Sequence, residues 1–99
     1  MMIIALYKLG ELYELEKGVG EDIIKSYGFY KQAAEKGHMG GKYKLGCYYE
    51  HGIIVDVNKE KAFDLYKEAA EGGNIDAQEV LHITIPIYNF AKNGELSII

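Results

Sequence analysis

The sequence predicts an all-α fold of stacked helix pairs, and three observations carry that reading. Residues 5–37 return as residues 41–73 without a gap, and within each copy apolar residues recur at three- and four-residue spacing. Glycine or asparagine then punctuates the pattern where each helix would turn. Fourteen of the thirty-three aligned positions are identical, each 36 residues after its counterpart, as Leu45 follows Leu9. That period falls in the solenoid range of about 20–50 residues. The expected architecture is an α-α superhelix of two helix pairs plus a partial third, about five helices. The whole chain reads as one domain, with a first repeat at 5–40, a second at 41–76 and a degenerate third or cap at 77–99.

Composition narrows the functions. Eleven Lys and Arg stand against fifteen Asp and Glu in 99 residues. That acidic balance argues against nucleic-acid binding or a membrane-surface role, both of which call for a basic face. A hydrophobic content of 48% is that of a chain with a core to bury. Cys47 is the one cysteine, so no internal disulfide forms and the fold does not depend on an oxidising compartment. The start, Met-Met-Ile-Ile-Ala-Leu-Tyr-Lys, lacks the basic leader and long apolar core of a signal peptide. No run reaches the roughly 20 apolar residues of a membrane span. The expectation is a soluble cytoplasmic chain with no cofactor.

The first helix is expected from about Ile3 to Leu15, with Ala5, Leu9 and Tyr13 sharing an inward face. Gly10 lies within it and returns as Gly46. A glycine in mid-helix costs about 0.5–1 kcal/mol relative to alanine, so its return marks a packing notch. Glu16–Glu21 reads as a loop, with Val19 plugged into the core and Asp22 as the next N-cap. The second helix runs to about Lys36, carries Ile23, Tyr27, Tyr30 and Ala34 on one face, and ends at Gly37 as C-cap. His38 falls in the turn that helps end it. The second repeat has the same plan: a helix from Met39 to Glu50, a loop 51–57 in which Ile54 replaces Gly18, Asn58 as cap, and a helix to Glu71 closed by Gly72-Gly73. Asn74 caps the next helix. Ala77 and Leu81 then keep the register of a third unit, but His82 replaces the notch glycine and Pro86 predicts a break near Thr84–Pro86.

No catalytic constellation emerges. Cys47 and His51 stand four apart, a spacing found in metal sites, but a stable zinc site needs three or four ligands and only Glu50 or His82 could complete it. A packed or surface thiol beside a helix-end histidine is the favoured reading, with no metal and no nucleophile, since no base can be placed beside Cys47. Glu79 and His82, three apart, read as a surface pair. Gly18-Val19-Gly20 comes after a helix rather than a strand and does not form a phosphate loop.

The recurring pattern Ala-x-Tyr-x-Leu-Gly-x-x-Tyr, Gly-Val-x-x-Asp-x-x-Lys, Tyr-x-x-Ala-Ala-x-x-Gly resembles the Sel-one-like repeat (SLR), a relative of the tetratricopeptide repeat (TPR). It is carried in the first unit by Ala5, Tyr7, Leu9, Gly10, Tyr13, Gly18, Val19, Asp22, Lys25, Phe29, Tyr30, Ala33, Ala34 and Gly37. The second unit departs from it at Gly41, Ile54, Asn58 and Leu65. The resemblance implies antiparallel helix pairs in a right-handed superhelix, and a non-enzymatic scaffold or adaptor that binds a protein or peptide on its concave face. The stripe Tyr7, Glu11, Glu14, then Tyr43, Cys47, Glu50, then Glu79 is the candidate surface, suited to a partner with basic residues. The alternatives are a hydrolase-like activity, as suggested for some secreted relatives, or a fragment of a longer repeat protein. Two repeats and part of a third leave an exposed apolar edge at the first helix, so self-association through the repeat ends is a further expectation.

Overall fold

The computed structural model of the chain describes residues 2–16 and 20–82. Within them lie α1 (Ile3–Glu16), α2 (Gly20–Glu35), α3 (Met39–His51) and α4 (Lys59–Glu71). Residues 75–82 are also helical and form the described part of α5. No strand occurs among the described residues. The fold is the expected helical solenoid: α1 packs on α2, α2 on α3, and α3 on α4. Tyr7 meets Tyr30 while Tyr13 meets Phe29 and Lys25, so the two helices of a pair run antiparallel.

The turns are set by their residues. Gly37 and Gly73 have φ of 92° and 97°, a left-handed conformation that a side chain resists. Asn58 Oδ1 accepts from the Lys61 amide and Asn74 Oδ1 from the Ala77 amide, so both asparagines cap as expected. His38 does more than expected. It closes α2 as expected, its amide donating to the Ala33 carbonyl, and it also opens α3, its Nδ1 accepting from the Gly41 amide at 3.0 Å, in the register of Asn74 one repeat later. Asp22 is corrected. Helix α2 already begins at Gly20, so Asp22 stands in its first turn, where the helix dipole favours a carboxylate.

The phase of α1 is the larger correction. Leu6 is 1% exposed and Gly10 is buried, whereas Ala5 is exposed and Leu9 and Tyr13 are half-buried. Gly10 packs under Tyr30 of α2 and Tyr13 keeps its expected place on α2 through Phe29, while Leu6 is buried, so it is Ala5 and Leu9 that depart from the expected face. Ala5 and Leu9 instead match Gly41 and Leu45, which in α3 are buried against the preceding helix pair. The step from Ala5 to Leu9 therefore marks a junction between repeats, whereas Tyr13 packs inside one.

The core is two clusters. Tyr30, Ala34, Leu45 and Tyr48 form one across the junction between the repeats, with Val55 packed against it. Ala62, Phe63 and Tyr66 form the other inside the second repeat, with Val80 and Leu81 of α5 laid on it. The expected role of Val19 and the break at Pro86 lie outside the described residues.

Candidate functional site

The residues that recur at the 36-residue interval form a repeated internal device. The Tyr30 ring lies against Gly10, so a Cβ there would stand 2.7 Å from two of its carbons. One period on, a Cβ at Gly46 would stand 2.6 Å from the Tyr66 ring. Each tyrosine then reaches a glutamate one turn further along the first helix. Tyr30 Oη donates to Glu14 Oε1 at 2.9 Å, and Tyr66 Oη donates to Glu50 Oε1 at 2.6 Å. Tyr7 packs on Tyr30 with ring centres 5.5 Å apart, and Tyr43 packs on Tyr66 at 5.7 Å. Lys25 lies over Tyr13 and Lys61 over Tyr49, at 5.3 and 4.9 Å from the ring centres.

This geometry divides the seven candidate residues. Tyr7, Glu14, Tyr43 and Glu50 recur, and all four have partners inside the stack. Glu14 also accepts from Tyr48 Oη and Lys44 Nζ of α3, both at 3.1 Å, and so ties the two repeats together. Glu11 and Cys47 share a position that changes between the two repeats, and Glu79 stands in the third unit at the register of Tyr7 and Tyr43. Glu11 lies beside the Tyr7 hydroxyl, whose pKa is pushed up to about 12, chiefly by burial and then by the Glu11 carboxylate. Burial is also the leading cause of the raised pKa of Tyr43, with the adjoining Cys47 thiol next. Asp76 of α5 raises both phenols, which places its carboxylate near the two rings. Glu79 is exposed one turn further on.

Cys47 packs against the cluster around Tyr66, while His51 points outward with its side chain 63% exposed, 3.8 Å from Glu50. Among the described residues no group of three His, Cys, Asp or Glu could hold a metal ion. Nor is any described helix long and apolar enough to cross a membrane.

A trough of about 830 Å³ crosses the starts of the first helices, lined by Ile3, Ile4, Tyr7, Met39, Gly40 and Asn74 among others. Sequence reasoning missed it because the recurring block begins at Ala5. Two residues upstream, Ile3 and Met39, both in its lining, stand at the same 36-residue interval, and that apolar pair is the signal.

A chain of helix pairs locked at a fixed period by glycine, tyrosine and glutamate is an α-solenoid of the tetratricopeptide-like class. The Sel1 repeat family model matches residues 3–38 and 41–74, and the chain belongs to that family. No curated protein and no solved structure matches it. Sel1 repeats generally act as protein-interaction modules and are typically non-catalytic.

Proposed function

We propose that the face shared by α1, α3 and α5 binds an extended segment of a partner protein that carries basic side chains next to a large apolar one. The observation that carries this reading is that Glu11 and Asp76 lie close to the phenol of Tyr7, whose ring lines the apolar trough. Carboxylates there select basic residues and steer their approach, while the trough supplies the apolar contact. Tyr7 lines the trough, and Tyr43 with Cys47 beside it continues the same face on α3. The role is that of an adaptor. The reducing environment of the cytoplasm suits a chain whose one thiol has no disulfide partner; recovery of the chain from the medium would contradict that placement.

The test is affinity capture from the native host, then the charge reversal Glu11→Lys, Asp76→Lys and Glu79→Lys in one chain. These side chains are exposed or half-exposed, so the helix content is expected to persist. Capture of the main partner is expected to fall about tenfold or more, the loss being greatest at low salt. Undiminished capture by the reversed chain refutes the assignment.

A further inference from the structure

The outer face of α1 carries the residue types of a repeat junction. In the α2–α3 junction Gly41 lies so close to α2 that a Cβ would stand 2.9 Å from the Ala34 amide nitrogen. Leu45 and Tyr48 are buried beside it, and Lys44 Nζ reaches back 3.1 Å to Glu14. One period later Ala77 is fully buried in the same register. One period earlier the set is Ala5, Lys8, Leu9 and Leu12. There the small residue is exposed, Leu12 is 47% exposed, and the Lys8 side chain is 71% exposed with only Glu11, on its own helix, at 3.7 Å. A small residue, two leucines and a lysine in junction register have no junction to serve among the described helices.

We propose that this face receives the second helix of a further Sel1-type helix pair stacked ahead of α1. Two arguments identify that occupant. The first is continuity: a step of 36 residues carries the α2–α3 junction onto this face position by position, the small residue included. The second is charge. Lys8 stands where Lys44 meets Glu14, so the incoming pair carries a carboxylate in the register of Glu14, with an aromatic and two alanines in the registers of Tyr30, Ala33 and Ala34. The described second-helix faces of this chain are already covered, α2 by α3 and α4 by α5, so a second copy does not offer one.

The experiment is a tandem chain in which residues 1–40 are placed directly ahead of residues 5–99. This keeps the 36-residue period, and Ala5 of the second copy comes after Gly40 as Gly41 does. The tandem chain is expected to melt in one transition, roughly 5 °C or more above the original. Ala5→Gln at the new junction is expected to remove that gain, because a long side chain cannot fit against the incoming backbone. The same substitution in the original chain, at an exposed position, is expected to leave its melting temperature unchanged. The proposal is overturned if the tandem chain does not fold, melts no higher than the original, or keeps its gain with Ala5→Gln. It is also overturned if the original chain proves to be a dimer that Ala5→Gln dissociates, which would give the face to a second copy.

Discussion

The two repeats share one plan but differ in how their glutamates are satisfied. Glu14 takes three donors, Tyr30 from its own repeat and Tyr48 and Lys44 from the next. Glu50 takes the Tyr66 hydroxyl, and in the third unit Val80 stands in the register of Lys44 and cannot donate. The same residue is therefore a tie between repeats in one place and a tie within a repeat in the other. The fold draws its junction strength from a carboxylate that recurs, while the partner of that carboxylate decides how far the ladder extends.

The largest expected effect falls on the tyrosines of both repeats at once. Tyr7 and Tyr27 are pushed up to about 12, and Tyr30, Tyr43, Tyr48 and Tyr66 higher, with burial the leading cause in each. An unfolded chain ionises its tyrosines near pH 10. The folded-state values are raised, so this stability is intact below about pH 10 and is lost as pH climbs through about 12. Helix content and tyrosinate absorbance, recorded together, are expected to change in one cooperative step in that window. Free titration of the phenols near pH 10 with the helices intact would show that they are not held in the stack.

The glutamates come next. Glu14→Ala leaves two phenols and an ammonium without their acceptor and is expected to cost about 3 kcal/mol in chemical denaturation. Glu50→Ala strands one phenol and is expected to cost about 1.5 kcal/mol. Equal losses would break the distinction between the two.

The glycines sharpen it. Gly46→Ala drives a methyl into the Tyr66 ring and is expected to destabilise by about 2 kcal/mol, the clash outweighing the gain in helix propensity. Gly28 of the first repeat has nothing within 4 Å of its would-be Cβ, and the second repeat has Asp64 there. Gly28→Ala is expected to stabilise by about 0.7 kcal/mol.

The smallest effect lies in the second loop. Ile54 has φ of 68°, and the Val55 amide bonds the Ile53 carbonyl across it, a tight turn that a β-branched residue resists. The first repeat has Gly18 in that register. Ile54→Gly is expected to raise the melting temperature by roughly 3 °C, since relief of strain exceeds the added freedom of the unfolded chain. A lower melting temperature would mean that Ile54 contributes packing despite its exposure.

Much of the fold was legible because the repeat states it twice. Gly10 with Gly46 signalled a notch, and the structure supplies the tyrosine ring that fills it. Asn58 and Asn74 announced their helices in the ordinary way. His38 did not, because an imidazole is an uncommon cap and its role shows only when it is aligned with Asn74. The inward face of α1 is hard to read for a different reason. A solenoid helix has two apolar faces, one toward its pair and one toward the neighbouring repeat, and a four-residue spacing does not say which is which. The candidate site was less legible. Tyr7, Glu14, Tyr43 and Glu50 share a helical stripe with the variable residues Glu11 and Cys47. Their recurrence was the evidence that they serve stacking. Asp76 contributes through its place in three dimensions, beside rings on two earlier helices, which no spacing along the chain displays.

The claim that recurring residues hold the stack rests most directly on the bridge from Glu14 to Tyr48 across the junction. A double-mutant cycle with Glu14→Gln and Tyr48→Phe, read by chemical denaturation, measures that bridge alone. The expected coupling is about 1 kcal/mol or more, with the double variant losing less than the two single variants added together. Strictly additive losses would mean that the two side chains do not act on one another, and that the carboxylate ladder is not what joins the repeats.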